Sequence, residues 1–203
     1  MASVQKNIRP NLAGDYPQID PSALIDPSAQ IIGNVKIGKD VFVGPLAVIR
    51  ADQRGPDGKV APIVIDSEVN IQDSVIIHSD PGASVIIGAK TSVAHGSIVH
   101  GPCTIGQECF IAVRATLYKA TLEDHVWIGI GAIAKLITLQ SYTRVPAGAV
   151  IRDRPEVLSL RLVSDKERKY MEEVWAANTR LRADYLELRD KLDSIKSSAK
   201  KKE

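Results

Sequence analysis

Ile87 to Leu117 reads I-G-A-K-T-S-V-A-H-G-S-I-V-H-G-P-C-T-I-G-Q-E-C-F-I-A-V-R-A-T-L, and every sixth residue, from Ile87 through Val93, Val99, Ile105 and Ile111 to Leu117, is aliphatic. Neither a helical period of about 3.6 nor a strand period of about 2 gives that spacing. The pattern continues outward on both sides. Upstream it takes Ile25, Ile31, Ile37, Val43 and Ile49, and, after an insertion, Ile65, Ile71 and Ile77. Downstream, with two short steps, it takes Leu122, Ile128, Ile133, Leu139 and Val145. Small or apolar residues recur at the fifth position of each unit, among them Ala29, Val35, Ala47, Val75, Ser97, Cys103, Cys109 and Ala115. Glycine often follows the aliphatic, as at Gly38, Gly44, Gly88, Gly106 and Gly129, where a corner is expected to demand unusual dihedrals. Such a unit suits a parallel β-helix of triangular section, three units to a coil and each unit one flat side.

Bulk composition narrows the class. A chain of 203 residues with 44% hydrophobic content can bury a core, and with only 4% aromatic residues that core must be built from small aliphatics. A net charge of +2, partly in Lys200, Lys201 and Lys202, argues against nucleic acid or an acidic membrane as partner. No apolar run is long enough to span a bilayer, and Met1 to Pro21 lacks the apolar centre of a signal peptide. Cys103 and Cys109 fall on different sides of the prism, so a disulfide is not expected, and a cytoplasmic, reducing location is.

The spacing divides the chain into an N-terminal segment at 1–24, a β-helix at 25–154, a helix at 155–195 and a disordered tail at 196–203. Ser164 followed by Glu167 reads as a capping box, and Tyr170, Val174, Asn178, Leu181, Tyr185, Leu188 and Leu192 form a stripe at helical spacing. That helix is able to lie along the prism or against a neighbour.

Register then brings separated residues together. Units one coil apart stack about 4.8 Å apart on one side. If the insertion after Arg54 hides no further unit, Ile49, Ile77 and Val99 share a side, and so do the residues that follow them, Arg50, His78 and His100. His78 and His100 are thus placed to chelate one ion. His95 falls on another side, with Asn70 and Gln72. It can join the pair only across an interface, which a closed three-fold trimer supplies.

The long repeat resembles the hexapeptide-repeat family of left-handed β-helices, over roughly Ile25 to Ile151. Within it, I-R-A-D at Ile49 to Asp52, N-I-Q-D at Asn70 to Asp73, the lone His78 and A-H-G-S-I-V-H-G at Ala94 to Gly101 are similar to the γ-class carbonic anhydrases. The resemblance implies an all-β left-handed β-helix followed by a long C-terminal α-helix. It implies a homotrimer with metal held by His78 and His100 of one subunit and His95 of the next. It also implies an Arg50–Asp52 ion pair across the interface, and a hydrogen bond from Gln72 to metal-bound water, so that Gln72, Asn70, Arg50 and Asp52 form the candidate catalytic set. The implied reaction is reversible hydration of CO₂ to bicarbonate by metal-bound hydroxide. Three neutral imidazoles with an open fourth position are the catalytic pattern for Zn²⁺, and Fe²⁺ or Co²⁺ also accept them.

One departure bears on rate. Gln53 stands where archaeal members of the class carry a proton-shuttling glutamate, and the loop after His78 has Asp80 as its only acid, leaving Asp80 or buffer as the substitute shuttle. Two other functions fit the repeat: a non-catalytic metal-binding scaffold, and an acyltransferase using a single histidine as base. Blander readings cover the remainder. His125 is a solvated corner residue, Trp127 and Trp175 are packing residues, and Asn178 is a register-setting polar residue that reaches the site only if the helix packs there.

Overall fold

The computed structural model describes residues 7–200, with the backbone alone for 196–200. Three parallel sheets form the sides of a prism, and each strand pairs with the strand one coil away rather than with its neighbour in sequence. The first sheet stacks Ile8–Arg9, Gln30–Gly33, Val48–Ala51, Ile76–Ser79, Ile98–Gly101, Thr116–Tyr118, Ile133–Lys135 and Val150–Ile151. The second runs from Gln18–Ile19 to Thr138–Leu139, and the third from Leu24–Ile25 to Thr143–Val145. The chain is a parallel left-handed β-helix followed by a long C-terminal helix.

The sixfold spacing produces this shape because each aliphatic meets its counterpart on the next coil. Ile31, Ile49, Ile77, Val99 and Leu117 lie in direct register and are fully buried. Each contributes roughly 1.5–3 kcal/mol of apolar burial. Polar residues at inward corners are satisfied: Thr91 Oγ1 donates to the Gly106 carbonyl at 2.9 Å, and Ser97 Oγ to that of Ala112 at 2.9 Å. Cys103 and Cys109 are buried and unpaired, and burial pushes the Cys109 thiol up to about 12.

The glycines after the aliphatic positions have a different cause from the expected one. Gly38, Gly44, Gly88, Gly106 and Gly129 do not take positive φ; non-glycine corner residues such as Lys90, Glu108, His125 and Tyr142 do. Close approach of the next coil excludes a side chain instead. A Cβ on Gly129 would lie 2.5 Å from the backbone of Pro146 and Ala147.

Both ends differ from the expected division. Ile8–Arg9 and Gln18–Ile19 already belong to the first and second sheets, pairing with Gln30–Gly33 and Val35–Ile37. The loop between them breaks the period, and Asn11 pins it by donating to the Ala51 carbonyl at 3.0 Å. The insertion after Arg54 is a small loop closed by an Arg54–Val60 bridge and adds no unit, since Val35, Ile63 and Val85 stay in register. At the other end a short helix, Arg154–Leu158, carries a capping box between Asp153 and Glu156, and Val157 and Leu160 pack on the last coil. Arg161–Leu162 then pairs antiparallel with the third sheet.

The long helix Asp165–Lys200 runs back over the outer face of the third sheet. It takes in 196–200, the start of the expected tail, whereas 201–203 lie outside the described residues. Met171 is buried against Phe110, Ala112 and Val163, with Trp127 and Val174 at the margin. Trp175 Nε1 donates to the Glu68 carbonyl at 3.0 Å, and Arg182 pairs with Asp40 at 2.8 Å. The face that docks is therefore Met171, Val174, Trp175, Asn178 and Arg182, while Tyr170, Leu181, Tyr185, Leu188 and Leu192 are half exposed. Among the described residues no helix is long and apolar enough to cross a membrane.

Candidate metal centre

Alternation along the first sheet sends Ile49, Ile77 and Val99 inward and the residues after them outward. Arg50, His78 and His100 stand in direct register on three successive coils, and Tyr118 and Lys135 continue the column. The His78 and His100 ring centroids are 5.4 Å apart with an interplanar angle of 74°. His78 Nε2 and His100 Nδ1 are both buried and neither has a hydrogen-bond partner. Two adjacent imidazole nitrogens without partners, costly to leave bare, fit a divalent cation as the group that satisfies them. Burial, and next the Arg50 guanidinium, hold the His78 imidazole below its ordinary range, favouring the neutral form a metal needs.

Arg50 Nη1 lies 3.0 Å from Asp52 Oδ2 of the same chain, which follows directly on the end of the Val48–Ala51 strand. The other Asp52 oxygen is 3.4 Å from His78 Nε2 without forming a hydrogen bond. Asp80 is tied to Lys119 at 2.5 Å, and that ammonium holds its carboxyl below the usual carboxylate range. A carboxylate kept ionised in this way is a weak base, so Asp80 is a poor substitute shuttle. Its remaining oxygen is 3.8 Å from His100 Nδ1, too long for a hydrogen bond. Tyr118 stacks on His100 at 5.4 Å. Tyr118 and Lys119 follow Leu117, the inward residue of the next coil, so the register arithmetic that paired the histidines leads to them as well.

His95 sits in the corner that follows Ser92–Val93 of the third sheet, half exposed, with Nδ1 3.4 Å from Asp73. Among the described residues no three metal-binding side chains converge within one chain. On the same side as His95, Asn70 and Gln72 are buried, and Gln72 Nε2 donates to Asn70 Oδ1 at 2.6 Å and to Asn178 Oδ1 at 3.0 Å. Asn178 thus belongs to this network through the helix and is more than a register-setting residue. His125 is no free surface ring either: it stacks on Tyr142 at 4.6 Å and lies 3.5 Å from Glu108.

Comparison with known proteins agrees with this architecture. Residues 16–51 match the family described as bacterial transferase hexapeptide (six repeats). A carbonic anhydrase of Methanosarcina thermophila is 33% identical over 168 residues, covering 73% of this chain and 66% of that protein. Gamma carbonic anhydrase 2, mitochondrial, of Arabidopsis thaliana is 30% identical over 168 residues, 79% of this chain and 55% of that one. The carboxysome assembly protein CcmM of a Nostoc species is 32% identical over 179 residues, which are 83% of this chain and 31% of that much longer one. The chain therefore spans only part of each of these relatives. A solved hexapeptide transferase family protein from Anaplasma phagocytophilum superposes with a TM-score of 0.73 at 22% identity, covering 90% of this chain and 99% of that one, a likeness of fold. By repeat, architecture and relatives, this chain is a γ-class carbonic anhydrase-like protein of the hexapeptide-repeat family.

Proposed function

We propose that this protein hydrates CO₂ reversibly to bicarbonate at metal centres built between the chains of a homotrimer, with His78 and His100 from one chain and His95 from the next. The observation that carries this reading is the pair of buried, partnerless imidazole nitrogens on adjacent coils. Neutral imidazoles of His78, His100 and the neighbouring chain's His95 would hold a divalent ion, Zn²⁺ or alternatively Fe²⁺ or Co²⁺, which would supply Lewis-acid activation of water near neutral pH.

The chain's own residues do the positioning. Both Gln72 donor bonds run from Nε2, to Asn70 and Asn178, which turns Oε1 outward as an acceptor for a water or hydroxyl hydrogen. A carboxamide orients that group without adding charge. Arg50 and Asp52 fix each other beside His78 and keep the ring surface polar on one flank. With Gln53 in place of an acid and Asp80 locked to Lys119, protons leave to buffer, and turnover is slow.

That same lock favours a second reading, a trimeric scaffold that keeps the metal without fast chemistry. The carboxysome assembly relatives support it by name. An acyltransferase role has only the fold in common and no use for three convergent imidazoles.

The test is anaerobic purification with metal analysis, followed by stopped-flow CO₂ hydration on the same sample. One metal per chain and a rate above buffer support the enzyme. One metal per chain with no rate supports the scaffold. His95→Ala should strip all sites of a homotrimer, and a wild-type chain in a mixed trimer should lose only the site its neighbour fails to complete. A monomer that still held its ion through these three rings would overturn both readings.

A further inference from the structure

We propose that the groove between the C-terminal helix and the edge of the third sheet away from His95 binds a small molecule with a flat aromatic body and one anionic group. The groove encloses about 850 Å³, within the range of roughly 300–1,000 Å³ common to small-molecule sites. Ser92 and Phe110, outward residues of the third sheet, line it from below, and Met171 and Trp175 of the helix from above.

Ser92 is the first reason to expect an occupant. It is 3% exposed, it lines the groove, and its hydroxyl has no hydrogen-bond partner. Leaving such a group bare costs roughly 1–3 kcal/mol. Thr91 and Ser97, the neighbouring buried hydroxyls, both find backbone partners. The difference is direction: those two point into the coil, where carbonyls of the next rung meet them, whereas Ser92 points out of it under the helix. A polar atom of a bound molecule is what would satisfy it.

The walls specify the body of that molecule. Trp175 offers flat apolar surface, and at the far wall Tyr142 and His125 are stacked at 4.6 Å and 10°. Aromatic surfaces of this kind favour a ring over a branched aliphatic.

Charge specifies the head group. Asp165 is held by Arg168, Glu108 sits 3.5 Å from His125, and Lys169 reaches Glu173 at 3.9 Å. Lys90 has no carboxylate within ion-pair distance among the described residues, and its Nζ rests 5.3 Å from the Trp175 ring. An ammonium poised on an aromatic face beside an open groove suits an anion attached to a stacked ring. Glu172 at the rim is the one lining acid without an ion pair among the described residues, so a cationic ligand is the direct competitor.

The site uses none of the proposed metal ligands, and the experiment is independent of metal content. Full-length protein is titrated calorimetrically with 1-naphthoate, 1-naphthyl phosphate, neutral 1-naphthol and 1-naphthylmethylammonium, and the Trp127→Phe variant reports through Trp175 emission. The expected result is one site per chain, Trp175 quenching, and at least about tenfold tighter binding of an anionic probe than of the neutral one. The tighter of the two anions identifies carboxylate or phosphate as the head group. Lys90→Glu should erase the anion preference while leaving naphthol binding, and Ser92→Ala should weaken all four probes several-fold. Absence of saturable binding, equal or tighter binding of the cation, many sites per chain, or indifference to Lys90→Glu would each overturn the proposal.

Discussion

Asn178 is the residue whose role depends most on context. In sequence it is one polar position in an apolar stripe. In the folded chain it takes one of the two Gln72 Nε2 bonds, across 106 residues of sequence. Gln72 can present Oε1 in one direction only while Nε2 is engaged, so loss of the Asn178 carbonyl loosens its orientation without touching any of the proposed metal ligands. A neutral hydrogen bond of this kind is worth about 0.5–1.5 kcal/mol. Asn178→Ala is therefore expected to slow CO₂ hydration by up to about tenfold at unchanged metal content, checked by stopped-flow and metal analysis on one preparation. An equal rate would remove Asn178 from the site. The corner glycines give a residue-scale prediction of stability. Gly129→Ala forces a Cβ to within 2.5 Å of rigid backbone on the next coil, and neither coil can yield without breaking rungs. A cost of about 1–3 kcal/mol is expected, read as a lower urea midpoint.

At the scale of elements, the helix is held at its start by Glu167. That carboxylate receives Arg161 at 2.7 Å, Arg144 at 3.1 Å and the Ser164 backbone N–H at 3.0 Å, while Ser164 Oγ accepts from the Glu167 N–H to complete the expected capping box. The Arg161 hydrogen bonds, foremost, hold the carboxyl well below the usual carboxylate range. The unfolded chain then binds the extra proton first as pH falls. The stabilisation is complete above an ordinary glutamate pKa of about 4.3 and is lost as pH drops toward the depressed folded value. Glu167→Gln should be less stable by about 1 kcal/mol at pH 7, discounted for the exposed Arg161, and the gap to wild type should close in acid. A gap that widened in acid would assign the anchoring elsewhere. This capping box was legible in the sequence because it is local, and so were the coils, since each aliphatic marks its own rung. The rungs at Ile8 and Ile19 were not, because an intervening loop destroys the period that identifies them. The docking face of the helix was legible only in part: the stripe held Val174 and Asn178, which do dock, but it missed Met171, Trp175 and Arg182, which meet the prism through a thioether, an indole and a guanidinium stem, and it took in the half-exposed Leu181, Tyr185 and Leu188.

For the whole molecule, the outer surface of the first sheet carries the decisive information. Directly in register outside the core stand Val48, Ile76, Ile98, Thr116, Ile133 and Val150, a column aliphatic except at Thr116, beside the Arg50, His78 and His100 column. Ile76 is 44% exposed, Ile98 37%, Ile133 37% and Val150 49%. An apolar strip of this kind, interrupted by Thr116 and flanked by partnerless imidazoles, is what the proposed trimer would cover. The second surface it needs is on the same chain: the corner between the third and first sheets presents His95, Val113 and Ile130, exposed one above another. Two different patches on one chain make a head-to-tail contact, which is closed by a ring such as the proposed trimer. On the proposed function, metal binding and assembly would be one equilibrium. Ile133→Glu lies two coils from His100 and leaves the inward Ala134 in place, so the prism itself should stay folded, read as an unchanged far-UV circular dichroism spectrum. A buried carboxylate facing apolar residues at each of three interfaces should nevertheless convert the trimer to monomer in sedimentation, and the metal should leave with it although all three histidines are intact. If Ile133→Glu stayed trimeric with its metal, the strip would not be the interface, and His95 would have to reach its partners by another route.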